Sequence, residues 1–245
     1  MVKIVVSGAL GRMGKRITEL ARKDAAFKVV AGVELKAPSP KPSPQRGEGR
    51  VRGMEMTSDL NQVKGGYDCI IEFTNPKATI EHVKIAKERK KAMVIGTTGL
   101  SEKERAIIEE AAESIPIVFS PNMSVAVNVF FSLIEKAAKT LGKDYSVSIK
   151  EAHHIHKKDK PSGTAKLMAN IVKEKLGKTD VPIESIRENE IVGDHDITFE
   201  GKVDTLKISH SARTRDIFAL GALKAARFVV EKSKGFFSMS DVLGM

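Results

Sequence analysis

Short apolar runs alternate with helix-periodic stretches through the first half of the chain. KIVVSG, FKVVAGVE, YDCIIEFT, AMVIGTT and IPIVFSP each read as a strand. Between them, GKRITELARK places Ile17, Leu20 and Ala21 on one helical face. Asn75-Pro76 opens a second helix that runs to about Lys91. SEKERAIIEEAAES reads as a third, opened by a capping box with Ser101 as the cap and Glu104 three residues on. Strands alternating with helices of this length imply βαβ units and a parallel sheet.

The pattern changes in the second half. NVFFSLIEKAAKTL is a long amphipathic helix with Phe130, Ile134, Ala137, Ala138 and Leu141 in register. YSVSIKEAH alternates like a half-buried strand, and TAKLMANIVKEKL sets Met168, Val172 and Leu176 on one helical face. Strand-like pieces follow near 183–188, 195–199 and 203–210, then a helix near 216–231 that periodicity alone assigns to neither half. Helices with several closely connected strands suggest an α+β second domain. The chain crosses between the two near Val125 and Ser211, so these segments are the expected hinges of any closure. The segment APSPKPSPQRGEGR, residues 37–50, interrupts the first half. Its prolines at 38, 40, 42 and 44 forbid helix and favour an extended polyproline conformation.

The 245 residues suffice for two modest domains, and 41% hydrophobic content supports a real core. The single cysteine, Cys69, rules out a disulfide framework and argues against a cysteine metal site. The N-terminal apolar run is too short for a signal peptide and no stretch is long enough to span a bilayer, so a cytoplasmic protein is expected. A net charge of +10 raises the question of nucleic acid. The basic residues are interspersed with acidic ones, however, and with no Trp and two Tyr there is no base-stacking platform. A lysine-rich solvated surface or small anionic ligands account for the charge.

GALGRMG places Gly8, Gly11 and Gly14 between the first strand and the first helix, a spacing variant of the dinucleotide fingerprint. Glu34 ends the second strand, 20 residues beyond Gly14, where a carboxylate can accept hydrogen bonds from an adenosine ribose. GTTG (96–99) and SPNMS (120–124) follow the fourth and fifth strands. They lie at the carboxyl ends, where open parallel sheets bind ligands, although ordinary turn chemistry would also explain either loop.

EAHHIHKKDKPSGTA, residues 151–165, concentrates titratable groups just before a helix start. His153, His154 and His156 could supply imidazoles to zinc. Lys157, Lys158 and Lys160 would repel a dication, and adjacent histidines on a strand point to opposite faces. No metal site is expected. The acid–base reading fits better: lysine ammoniums and the N–H groups of Ser-Gly-Thr hold carboxylates, and a histidine donates a proton. Opposite a nicotinamide cofactor, that means reduction of a small anionic substrate.

The same stretch resembles the signature of the dihydrodipicolinate reductase family. GALGRMG, EFTNP, IGTTGL, SPNMSVAVNV, IVGDH, ISHSARTRDIFALGALKAARF and GFFSMSDVL resemble family segments in family order along the whole chain. The resemblance implies an α/β fold: a Rossmann-type parallel-sheet cofactor domain, 1–124 with 212–245 returning to it, plus a smaller α+β substrate and oligomerisation domain, 125–211, that builds a homotetramer. It implies NADH or NADPH as cofactor, bound by Gly8, Ala9, Leu10, Gly11, Arg12 and Met13 at the pyrophosphate and by Glu34 at the ribose. Gly96, Thr97, Thr98, Ser120, Pro121, Asn122 and Met123 are expected on the nicotinamide side. It implies His153 as catalytic acid, Lys157 as a second proton donor, and His154, Ser162, Gly163 and Thr164 as substrate ligands. The implied reaction reduces 4-hydroxy-tetrahydrodipicolinate to tetrahydrodipicolinate, in the diaminopimelate route to lysine.

Three features depart from the family pattern. Leu35 and Lys36 stand where NADPH-preferring members often carry arginine just after the ribose glutamate, the proline-rich segment replaces an acidic-glycine loop, and RENEIVG lacks the usual glycines. The first two bear on cofactor preference and the third on loop geometry. A related two-domain enzyme such as an aspartate dehydrogenase is the competing reading, and a dinucleotide sensor without turnover is the non-enzyme alternative. The histidine pair with Pro-Ser-Gly-Thr argues against the first, and the presence of both His153 and Lys157 against the second.

Overall fold

The computed structural model describes residues 1–34, 54–177 and 180–245. The proline-rich segment 37–50, like Leu35 and Lys36, lies outside them. The chain divides into two compact units, Met1–Met123 with Phe218–Met245, and Ser124–Ile217.

The first unit is built on a parallel sheet. Its elements in chain order are β1 (Val2–Ser7), α1 (Arg12–Lys23), β2 (Phe27–Val33), β3 (Glu55–Thr57), β4 (Cys69–Glu72), α2 (Pro76–Arg89), β5 (Ala92–Ile95), α3 (Glu102–Ala112) and β6 (Pro116–Phe119). The second unit contributes α4 (Val125–Leu141), β7 (Ser146–His153), α5 (Gly163–Leu176), β8 (Ile183–Arg187), β9 (Gly193–Glu200) and β10 (Thr205–Ala212). Helix α6 (Asp216–Val229) begins at the unit boundary, and β11 (Gly235–Phe237) and α7 (Met239–Leu243) complete the first unit.

The seven-stranded sheet has the order β11-β6-β5-β4-β1-β2-β3 with every pairing parallel. The sequence order reverses between β4 and β1, which creates the crevice where such sheets bind ligands. Ser7 of β1 and Glu72 of β4 are register partners at that point. Strands β4 and β5 are buried at every position, which explains their continuous apolar reading. The five strands read from the pattern are joined by β3 and β11. Each of these has three residues, too few for a period to show.

Local chemistry ends the helices where the pattern predicts. Asn75 caps α2 by accepting the Ala78 N–H, Pro76 takes the first turn, and Lys90 closes the helix in the left-handed conformation at φ 53°. The Ser101–Glu104 capping box of α3 is formed in both directions.

In the second unit a four-stranded sheet has the order β10-β9-β7-β8, parallel between β7 and β8 and antiparallel elsewhere. Val147, Ile149, Ile197 and Phe199 on one face pack with Phe130 and Ile134 of α4 and Met168 and Val172 of α5. The other face carries exposed Ser146, Ser148 and Lys150 on β7. It also carries the Lys207–Asp196 ion pair at 2.8 Å.

Candidate active site

At the head of the first unit, Gly8 stands at φ 76°, and a Cβ there would lie 2.4 Å from the Phe73 carbonyl oxygen. A Cβ on Gly14 would lie 2.1 Å from the Gly8 carbonyl oxygen. Only glycine permits this turn and this approach of α1 to the strand, which leaves the helix N-terminus facing the crevice. Leu10 is exposed and Ala9 is buried under the turn. The Glu34 carboxylate accepts the Leu10 N–H at 2.7 Å, tying the end of β2 to the glycine turn. Leu10, Gly11 and Glu34 line one cleft with Met56, Thr57 and Ser58, of about 1150 Å³. A tight glycine turn, a free helix N-terminus and an adjacent carboxylate fit a dinucleotide.

The loops after β5 and β6 hold both inward and outward residues. Thr97 is buried, and its hydroxyl accepts the Thr74 N–H at 3.3 Å and the Thr79 hydroxyl at 2.9 Å. Thr98 is exposed. Ser120 turns inward to donate to the Asn122 carbonyl at 2.8 Å, and buried Met123 packs on α6, where a Cβ at Gly221 would meet its carbonyl oxygen at 1.7 Å. Thus Thr97, Ser120 and Met123 shape their loops from within, and Thr98 and Pro121 face outward.

Beneath this crevice sits a fully buried carboxylate. Glu72 accepts the His82 Nδ1–H at 2.6 Å and the Thr74 hydroxyl, and Ser7 Oγ lies 3.1 Å from the same His82 nitrogen. Sequence reasoning passes over this pair because β4 and α2 meet only in the fold.

In the second unit, the alternation of β7 puts Glu151 and His153 on one face, both buried. His153 Nδ1 lies 2.5 Å from Glu151 Oε2. Arg187 of β8 donates to both oxygens of that carboxylate, at 2.8 and 3.0 Å. His195 of β9 stands edge-on to His153 with ring centroids 5.1 Å apart. Burial works against the Glu151 carboxylate, but hydrogen bonds from Arg187 and His153 outweigh it and hold its pKa down at about 2. Burial moves His153 below the ordinary histidine value. Glu151 opposes that shift, and Lys157 and Arg187 reinforce it. His195 is pushed down to about 4, chiefly by burial and then by the His153 charge.

The loop from His154 to Ser162 follows. Ser162 is 2% exposed: it caps α5 by accepting the Ala165 N–H at 3.2 Å, and its hydroxyl lies 3.3 Å from His195 Nε2. The hydroxyl is therefore engaged in building the site. Gly163 and Thr164 begin α5. His154 Nδ1 is buried without a hydrogen-bond partner. Lys157 Nζ lies 2.8 Å from Asp159 Oδ1. Burial opposes charge on Asp159, yet Lys157 and the backbone N–H groups of Asp159 and Gly163 hold its carboxyl below the usual range. Lys157 and the start of α5 thus already hold one carboxylate, the chain's own.

Glu151, His153 and His195 bring ligand atoms within 4.8 Å of one another, close enough for a metal ion. Arg187 already occupies both Glu151 oxygens and brings a positive charge to the cluster, so the donor set suits proton chemistry better. Sequence reasoning missed Glu151, Arg187 and His195 as site residues. The two-residue spacing in EAHH was the available signal for Glu151. The other two arrive through strand register, with Arg187 opposite His153 and His195 opposite Glu151.

Comparison with known proteins gives this arrangement a family. Residues 2–123 match the family model described as dihydrodipicolinate reductase, N-terminus, and residues 126–243 the one described as its C-terminus. The 4-hydroxy-tetrahydrodipicolinate reductase of Geobacter metallireducens is 41% identical over 272 aligned positions, covering 100% of both chains. Its namesake from Aquifex aeolicus is 41% identical, covering 100% of this chain and 99% of its own. Among solved structures, dipicolinate-bound dihydrodipicolinate reductase from Paenisporosarcina sp. TG-14 shares the fold with a TM-score of 0.82 at 21% identity, covering 98% of this chain and 99% of that one. Aspartate dehydrogenase from Thermotoga maritima reaches a TM-score of 0.53 at 13% identity, covering 93% and 96%. With both family models matched in order and relatives of 41% identity aligned end to end, the chain belongs to the dihydrodipicolinate reductase family.

Proposed function

We propose that the chain reduces 4-hydroxy-tetrahydrodipicolinate to tetrahydrodipicolinate with His153 as the proton donor and Lys157 as its carboxylate-binding partner. The reaction is a net addition of hydride and proton with loss of the 4-hydroxyl as water. NADH or NADPH, held at the Gly8–Met13 turn and Glu34, supplies the hydride when bound. Hydride addition leaves an electron pair on the ring, as an enamine or carbanion, and a proton must reach carbon. We assign that proton to His153, which is mostly buried, with Lys157 as the second donor.

The observation that carries the substrate assignment is the carboxylate already held by Lys157 and the Gly163 N–H group. A substrate carboxylate takes the place of the Asp159 side chain there, with His154 and Thr164 beside it. Gly96 to Thr98 and Ser120 to Met123 form the nicotinamide side of the crevice, by position at the carboxyl ends of β5 and β6.

Steady-state kinetics with enzymatically generated substrate tests this reading. Turnover is expected with either nicotinamide, and none with aspartate and NAD. Glu34 favours a free ribose 2′-hydroxyl, while Arg12 and Lys36 offer charge to a 2′-phosphate. The preference in kcat/KM is therefore expected below about tenfold, about 1.4 kcal/mol. A strong NADPH preference would contradict that part.

The open face of the second sheet supports a homotetramer built there, with Lys150, Asp196 and Lys207 on the joining surface. Sedimentation velocity is expected to give a four-chain species, and a monomer at micromolar concentration would exclude it. No helix among the described residues is long and apolar enough to cross a membrane, and a cytoplasmic location agrees with the cofactor and the substrate.

A further inference from the structure

We propose that Glu151 is a positioning residue for the proton donor: its carboxylate accepts the Nδ1–H of His153 and leaves Nε2 as the nitrogen that delivers a proton to the substrate. The inference rests on the reading of His153 as that donor.

Three observations converge on this. The Nδ1–Oε2 distance is 2.5 Å, and a carboxylate that also receives both Arg187 N–H groups can only accept from the imidazole. The carboxylate is itself immobilised: Arg187 is fixed in turn to the Ile186 and Asp159 carbonyls at 2.6 Å each, and the Ser162 N–H reaches Glu151 Oε1 at 3.3 Å. On the far edge of the ring, Gly193 leaves room for Nε2, since a Cβ there would stand 3.0 Å from it. One ring edge is held by charge and the other lies against a residue that has no side chain. A carboxylate behind a catalytic imidazole fixes its tautomer and stabilises its protonated form.

Every charged group facing His153 bears on the sign. Glu151 favours the imidazolium. Burial, Lys157 and Arg187 disfavour it, and His195 faces it as a second imidazole with His210 beyond, at a ring separation of 6.4 Å. Removing the Glu151 charge therefore lowers the His153 pKa. A general acid works only while protonated, so the fall of kcat/KM with rising pH must then occur at lower pH.

The test compares wild type, Glu151→Gln, Glu151→Asp and His153→Ala for kcat, substrate KM, NADH affinity, melting temperature and the pH profile of kcat/KM. Glu151→Gln is expected to lower kcat by about tenfold or more, with cofactor affinity held. Its alkaline limb is expected to move about 1–3 units toward acid. Glu151→Asp keeps the charge and should return the limb toward wild type. Because Glu151→Gln strands the Arg187 charge, the double variant Glu151→Gln/Arg187→Gln, which removes both charges, serves if the single variant does not fold. A folded variant lacking the carboxylate with wild-type kcat and limb overturns the proposal. A fall in kcat that tracks lost stability with no movement of the limb also overturns it, in favour of a scaffold role. Near-normal kcat in His153→Ala instead removes the proton-donor reading on which the proposal stands, whatever Glu151 does.

Discussion

His153→Ala lowers kcat by about 10²–10⁴-fold, the range for loss of a positioned general acid, while NADH affinity stays near wild type and Arg187 still holds the buried Glu151 carboxylate. The selectivity follows from placement. His153 ends β7 and meets Glu151 and His195 within its own unit, whereas the glycine turn and Glu34 belong to the other. Lys157→Ala differs in kind. Its ammonium holds a carboxylate and acts as second donor, so its loss lowers kcat and raises substrate KM together. If both residues only shape the loop before α5, the variants lose stability and cofactor binding in parallel and show no selective kinetic defect. Both kinetic constants, NADH affinity and melting temperature measured on the same preparations separate the cases. A folded His153→Ala with near-normal kcat removes it as the donor and leaves Lys157 first in line.

What could be read from sequence is what local chemistry decides. The glycine turn after β1, the Asn75-Pro76 helix start and the Ser101–Glu104 box each depend on residues within a few positions of one another. The family resemblance added the roles of His153, Lys157 and the Ser162–Thr164 helix start. The groups behind the chemistry escaped for the opposite reason. Arg187 reaches Glu151 across 36 residues and His195 reaches Ser162 across 33, through a register that no single strand encodes. The short strands β3 and β11 escaped because three residues carry no period, although β11 adds the seventh strand of the sheet. The resemblance implies Ser162 as a substrate ligand. In the fold its hydroxyl caps α5 and lies 3.3 Å from His195 Nε2, a contact made across 33 residues.

His82→Ala destabilises the first unit by about 3–5 kcal/mol, the cost of stripping one partner from a buried charge. Glu72 has no exposed surface and holds the His82 Nδ1–H at 2.6 Å. Without the imidazole its carboxylate keeps only the Thr74 hydroxyl on the side chain's oxygens, in the centre of the sheet where water does not reach. The double variant Glu72→Gln/His82→Ala removes the charge as well as its partner, so it should recover part of the loss, and a double-mutant cycle reads the coupling. The consequence reaches function because the same carboxylate anchors Thr74, whose N–H donates to Thr97 at the head of β5. Loosening Glu72 frees the loops that follow β4 and β5 at the carboxyl ends of the sheet. His82→Ala should therefore weaken NADH binding while leaving the affinity for a dicarboxylate inhibitor of the second unit unchanged. Denaturant unfolding and cofactor titration measure the two effects. A wild-type unfolding midpoint for His82→Ala would mean that the buried Glu72–His82 contact adds nothing to the stability of the first unit.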